Sequence, residues 1–438
     1  MKEHSELYRY LEQIKLPKFY KARQHLDSAS ISRAEIPSVL RERLEQVPLR
    51  EQVKPGMRIA VTAGSRGVAN IDLIIGEIVK YLKGLQAEPF IVPSMGSHGG
   101  GTAQGQLEIL AGYGITEETM GCPLISSMEV TQVGETEDKR PVYIDRAAAE
   151  ADGILVVGRI KPHTGFRGPY QSGLMKMMAI GLGKQYGARV CHEEGFKRMG
   201  YNVEMFGRAV IQNCNIVCAV GLIENAFETT WKIEAMKKEE IALREPELLK
   251  EAEAHMPKLL FPECDVLIVD EIGKNFSGDG MDPNVTGTFA TPYANGGIKA
   301  ERVCILDLSP ESHGNGMGSG MATAITRKVF NQLDLDTMYI NGFTCRNLNG
   351  SRIPCILSSD EAAIKFCLGT CVNADQSTPK IIRIFNSQFI EYIWISEALA
   401  RCLPEGVEII GEAKPFLFDS NGNLVDKEPR QRGQRQFI

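Results

Sequence analysis

The sequence predicts an α/β protein of two domains, with mostly parallel sheets and an interdomain cleft as its site. Three observations carry that expectation. The 438 residues exceed what one hydrophobic core usually organises. Short apolar runs such as 57–62 (MRIAVT), 89–93 (PFIVP), 153–157 (GILVV), 215–223 (NIVCAVGLI) and 265–269 (DVLIV) alternate with helical stretches at the spacing of parallel strands. Glycine-rich polar segments follow several of these runs directly, where open α/β sheets place their ligands. The boundary is expected near residue 270, giving domains 1–270 and 271–438.

Composition narrows the function classes. A formal net charge of -6 supplies no general attraction to nucleic acid or an anionic membrane. Arg159, Lys161 and Arg167 form a local positive cluster suited to a small acid. The start is charged, and no apolar run reaches the length of a spanning helix, so a cytoplasmic location is expected. Eleven widely spaced cysteines argue against a disulfide framework, and the pairs Cys214/Cys218 and Cys367/Cys371 lack CxxC spacing.

Along the chain, residues 1–55 are polar, with a weak amphipathic helix over 34–46, and are expected to wrap or pair with the core. The strand at 57–62 is followed by Gly64, Ser65, Arg66 and Gly67 and by a helix over about 71–82. That order puts Ser65 and Arg66 at a strand end beside a helix start, a setting for a carboxylate or phosphate clamp. The second strand empties into SMGSHGGGTAQ, where His98 precedes three glycines and Thr102 can cap a helix. This glycine order is not GxGxxG, so a dinucleotide fingerprint is absent.

An edge hairpin is expected within 122–145, then a short helix and the strand at 153–157. From its end runs GRIKPHTGFRGPYQSGLMKMMAIGLGKQYGARVCHEEGFK, residues 158–197. It holds His163, Lys176 and, sixteen residues later, His192. Two imidazoles and an amine bring base, metal-ligand and covalent-anchor chemistry into one stretch. A solvated loop followed by a packed helix on which Lys176 merely snorkels is the plainer reading.

Beyond a charged helical stretch near 232–254 and the strand at 265–269 comes DEIGKNFSGDGMDPNVTG, with Lys274, Asn275, Asp282 and Asn284 among its glycines. Such a loop is rigid when its polar groups bond one another or hold a ligand. Its spacing does not match a calcium loop. Further strands are expected at 302–307, 380–385 and 407–410 and helices at 322–333 and 359–367. His313 sits in a glycine-rich turn with no assigned role.

With GSHGG at His98, KPHTG at His163, SGLMKMMAIG at Lys176 and CHEEG at His192, the chain resembles the nickel-pincer lactate racemase family and its related 2-hydroxyacid racemases and epimerases. The resemblance implies that residues 1–270 are a cofactor and catalytic domain and 271–438 a substrate-closing domain. It implies nickel and a pyridinium-3-thioamide-5-thiocarboxylic acid mononucleotide covalently linked to Lys176, with His192 on the metal. Ser65, Arg66 and Lys184 are the other expected cofactor contacts. His98 and His163 are implied as the catalytic bases, and Arg66, Lys274, Asn275, Asp282 and Asn284 as substrate contacts. Cofactor-biosynthesis proteins are the implied partners, with no nucleic acid or membrane.

Two departures from the family pattern bear on the substrate. Arg66 stands in GSR where the family has DxTR, and the surroundings of Lys274 also differ. The polar groups around Asp282 suggest a longer, polyhydroxylated sugar acid, epimerised at C2. Two other classes stay open: an NAD-dependent oxidoreductase, and a non-catalytic small-anion or cofactor-binding protein.

Overall fold

The computed structural model describes residues 6–64 and 67–425, so Ser65 and Arg66 lie outside the described residues. The chain divides into two compact units. One is Asp27–Met256; the other gathers residues 6–26 and 257–425 of those described.

In the first unit five strands form one sheet: β1 (Arg58–Ala63), β2 (Glu88–Pro93), β3 (Gly153–Arg159), β4 (Ile216–Glu224) and β5 (Thr230–Met236). Their order is β2-β1-β3-β4-β5, parallel except for β5. Alternate residues supply two cores. Ala60, Val92 and Val156 face one, whereas Val61, Ile91 and Val157 face the other, which explains why these strands read as continuous apolar runs.

Helix α1 (Ile71–Gly84), which follows β1, packs Ile74, Ile75 and Ile78 into the second core. The helices α2 (Lys184–His192) and α3 (Met199–Asn213), which follow β3, turn toward the first, through Ala188, Cys191, Val203, Phe206 and Val210. The chain therefore leaves neighbouring strands β1 and β3 toward opposite faces. That makes their carboxyl ends the topological switch point of the sheet. Helix α4 (Ile241–His255) closes the first core with Ile241, Leu248, Leu249 and Ala252.

The expected hairpin is present as Val130–Glu135 and Pro141–Asp145, in a sheet of its own. The expected helical stretch from 232 differs: residues up to Met236 are strand β5, whose alternating charged and apolar side chains pair with β4, and the helix starts only at Ile241.

The second unit has an eight-stranded mixed sheet. Glu263–Val269 lies parallel to Lys299–Ile305 and to Ile381–Ile384. Phe19–Gln24 is antiparallel to Tyr392–Ser396 and to Val407–Ile409. That pairing joins the N-terminal residues to this unit and sets the crossover at 256/257, whereas the sequence reading kept them in a first domain ending near 270. The stretch expected as a helix over 322–333 is strand Ala324–Thr326 followed by helix Arg327–Gln332, which Thr326 caps. Among the described residues no helix is long and apolar enough to cross a membrane.

Candidate functional site

At the carboxyl edge of the first sheet β1 and β2 end level, Ala63 opposite Pro93, while β3, aligned with Val61 opposite Leu155, runs on to Arg159. The segment from Gly173 to His192 is packed against that edge. The Met177 methyl stands 3.2 Å from where a Cβ on Gly64 would be, at the end of β1. At the end of β2, the Gly96 N–H donates to the Gly181 carbonyl (3.1 Å). At the end of β3, the Gly173 backbone stands 3.5 Å from where a Cβ on Gly158 would be.

That segment is not a plain helix. A short turn, Leu174–Lys176, leads into a π-helical turn, Met177–Gly181, before α2 begins. Such turns are rare and concentrate at functional sites. The start of the segment is anchored by Glu245 of α4, whose Oε2 accepts the Met175 N–H (2.9 Å). Glu245 is buried, and burial pushes its carboxyl up to about 8. A Cβ on Gly173 would stand 2.1 Å from Glu245 Oε1, so only glycine leaves room for this anchor.

His192 ends α2. Its Nδ1 donates to the Ala188 carbonyl (2.6 Å), one turn earlier, which fixes Nε2 as the lone-pair nitrogen of the neutral ring. Burial holds the ring below the usual histidine range, and the Lys176 ammonium, near enough to act on it, works in the same direction. Lys176 acts on the buried Cys191 thiol as well. The lysine and the distal histidine are thus electrostatic neighbours although sixteen residues separate them. A neutral imidazole with one nitrogen tied to a backbone carbonyl is the usual form of a metal-ligating histidine.

His163 lies in the loop after β3, closed by the bridge between Lys161 and Ser172. Its backbone N–H donates to the buried Gln171 side chain (2.8 Å), and Arg167 donates to its carbonyl (2.5 Å). The ring accepts the Gly165 N–H at Nδ1 (2.9 Å) and packs 4.3 Å from the Phe166 ring, centroid to centroid. Arg167 therefore braces this loop. Arg159 likewise pairs with Glu224, whose other oxygen takes the Ala69 N–H (2.6 Å), and donates to the Gly67 carbonyl (3.2 Å). The positive cluster read from sequence thus braces the loops after β1 and β3.

His98 is exposed in the loop after β2. Thr102 caps the following helix, Ala103–Gly112, as expected, accepting the Gly105 N–H (3.1 Å). Gln106 of that helix is buried and donates to the carbonyls of Gly96 (3.0 Å) and His98 (3.3 Å). Its Oε1 accepts from Lys184 (3.3 Å). Lys184, expected among the cofactor contacts, is fully buried, with its ammonium on the Pro93 carbonyl and 3.2 Å from Asp145. It reaches the His98 loop through Gln106.

The substrate contacts expected after 270 belong to the second unit, and each bonds groups of that unit. Lys274 donates to the Gly278 carbonyl (2.6 Å) and to Asn341 (3.3 Å). Asn275 accepts from Ser309 (2.6 Å). Asp282 accepts both the backbone and side-chain N–H of Asn284, each at 2.9 Å. His313 is exposed at a left-handed position in its turn. Ser65 and Arg66 lie outside the described residues.

Gln106, Glu245 and Gln171 were not singled out from the sequence. Glu245 had a signal: with Ile241, Leu248 and Ala252 it falls on the apolar stripe of α4, where an unpaired acid needs a reason.

Residues 13–200 match the family model described as the lactate racemase N-terminal domain, a span that contains His98, His163, Lys176 and His192. Among solved structures, the lactate racemase apoprotein from Thermoanaerobacterium thermosaccharolyticum is similar at 15% identity, over 64% of this chain and 69% of that one, with a TM-score of 0.43. No curated protein matches. In class, the first unit is a mostly parallel α/β sheet with its candidate site at the switch point. In particular, the matched stretch is similar to the lactate racemase N-terminal domain.

Proposed function

We propose that this protein is a racemase or epimerase of 2-hydroxy acids that works with a lysine-tethered, nickel-bearing pyridinium nucleotide. The observation that carries the reading is that the packed segment holding Lys176, an amine for a covalent tether, ends in His192, an imidazole held neutral with Nε2 left for a metal. Among the described residues no group of three or more His, Cys, Asp or Glu could hold a metal, and the proposed group would bring donors of its own. Soft sulfur donors together with an imidazole such as His192 would suit nickel.

When bound, such a group supplies a reversible hydride acceptor. The chain does the rest. Lys176 holds the group, and His192 orients its metal. His98, exposed on the β2 loop, takes the hydroxyl proton of the substrate and returns it, while His163 addresses the same oxygen from the β3 loop. Moving hydride in place of the Cα proton avoids setting a carbanion beside an ionised carboxylate. Of the groups that suggested a sugar acid, Asp282 and Asn284 bond each other and Asn275 bonds Ser309, and the substrate is assigned to the class of 2-hydroxy acids.

The test is intact-mass and peptide analysis of protein coexpressed with the cofactor-building enzymes and nickel. An adduct on Lys176 is expected. Its absence, while a lactate racemase expressed alongside is modified, overturns the reading. A panel of simple hydroxy acids and aldonates, read by chiral chromatography, then assigns the substrate.

A further inference from the structure

We infer that the two catalytic histidines are not equivalent: His163 is held as a neutral hydrogen-bond donor to the substrate oxygen, leaving His98 as the proton-transferring base. This deepens the reading above and rests on it.

One hydrogen bond sets the tautomer of the His163 ring. The Gly165 amide can only donate, and it points at His163 Nδ1 from 2.9 Å. Nδ1 is therefore the acceptor nitrogen of the ring, and in the neutral imidazole the proton is on Nε2. Such a ring cannot accept a proton at Nε2, because that nitrogen already carries one. Protonation at Nδ1 would set a new N–H against the Gly165 N–H. What the ring can do is donate from Nε2 to an oxygen on which negative charge develops, as the hydroxyl oxygen becomes a carbonyl and reverts.

The loop is built to keep this state. Gln171, itself buried, takes the His163 N–H, and Arg167 clamps the His163 carbonyl. The Phe196 ring occupies the space a side chain at residue 165 would need, with its nearest carbon 2.8 Å from a Cβ there. The amide that sets the tautomer is thus fixed by packing as well as by hydrogen bonds.

No proton is gained or lost at His163 in the cycle. One proton moves between the substrate hydroxyl and His98, and it returns to the same oxygen when hydride returns to carbon.

Two measurements decide the inference. In histidine-15N-labelled full-length protein, with and without coexpressed cofactor-building enzymes, long-range proton–nitrogen correlation near neutral pH should show His163 as the neutral Nε2–H tautomer. The signal is assigned by its loss in His163→Asn. A Nδ1–H tautomer or an imidazolium overturns the inference, whatever the protein turns over.

In loaded enzyme, His163→Gln places an amide N–H near the Nε2 position and should cost about tenfold in kcat, whereas His163→Asn, which keeps only the Nδ1-like acceptor, should cost about a thousandfold. His98→Gln should cost a thousandfold or more. Equal losses for the two His163 variants overturn the inference while leaving the racemase reading intact. Failure of the Lys176 adduct removes that reading, and the tautomer measurement still decides the state of the ring.

Discussion

Lys184 and Asp145 form an ion pair 3.2 Å apart in which neither side chain is exposed. Lys184 also adopts a left-handed backbone conformation (φ +53°), which a non-glycine side chain rarely takes without compensation. The compensation is the set of partners it reaches: Asp145, the Pro93 carbonyl and Gln106, which in turn holds the His98 loop.

Removing one member leaves the other charged and buried. Lys184→Met and Asp145→Asn are each expected to lower unfolding stability by roughly 3–5 kcal/mol. The double substitution should lose less than the sum of the two, because it strands no charge. Urea unfolding of the four proteins checks this; additive losses would show that the pair is not coupled.

Glu245 gives the pH dependence its sign. Its folded-state value, raised to about 8 by burial, lies above the ordinary 4.5. The folded protein therefore binds this proton more tightly than the unfolded chain, and the associated stability is full below about pH 4.5 and lost as pH rises through about 8. Stability should fall between about pH 5 and 9 by an amount on the order of a few kcal/mol. In Glu245→Gln that slope should flatten, read as the difference between denaturant midpoints at the two ends of the range. An unchanged slope would mean that the carboxyl is ionised in the folded state at neutral pH.

The parallel strands were legible because burial on both faces forces continuous apolar runs, as in Ile59–Val61 and Ile154–Val157. Phe19–Gln24 escaped because FYKARQ alternates charged and apolar residues and gains its identity from partners near residues 392–396 and 407–409. The same holds for Thr230–Met236, whose charges suggested a helix. At the site, the spacing of Lys176 and His192 could be read directly. The hydrogen bonds that hold His192, His163, the His98 loop and Met175 could not, since Ala188, Gly165, Gln106 and Glu245 are backbone groups or distant side chains with no local motif. Lys184 was expected among the cofactor contacts on the family resemblance, and only the fold reveals its burial.

The turn beside His98 depends on a glycine for two reasons at once. Gly99 has φ +65°, and a Cβ there would stand 2.5 Å from the backbone of Gly105 in the capped helix. Neither backbone can yield while Thr102 bonds both the Gly99 carbonyl and the Gly105 N–H. Gly99→Ala should therefore cost more than the roughly 1 kcal/mol of an open left-handed position, and should raise proteolytic cutting within residues 95–102. Gly100, also left-handed but with open space around its Cβ position, is the control: Gly100→Ala should cost about 1 kcal/mol and leave the cutting pattern alone. Equal effects at the two positions would remove the steric part of the argument.

Nickel separates the roles of the histidines. If His192 Nε2 is the protein donor, His192→Ala should lose nickel from cofactor-loaded protein, measured as metal per chain after desalting. His98→Ala and His163→Ala should keep it, since the proposed mechanism gives both histidines the substrate oxygen and neither the metal. His192→Gln, whose amide is a poor donor for this metal, should resemble His192→Ala. Ala188 offers a finer test, because its carbonyl fixes the ring through a bond one turn back along α2. Loosening that turn with Ala188→Gly should weaken nickel retention by about 10-fold or more, the range seen when partners of metal-ligating histidines are removed, without removing the ligand itself. Retention of full nickel by His192→Ala would assign the metal to other donors and leave Lys176 as the only covalent anchor of the proposed group.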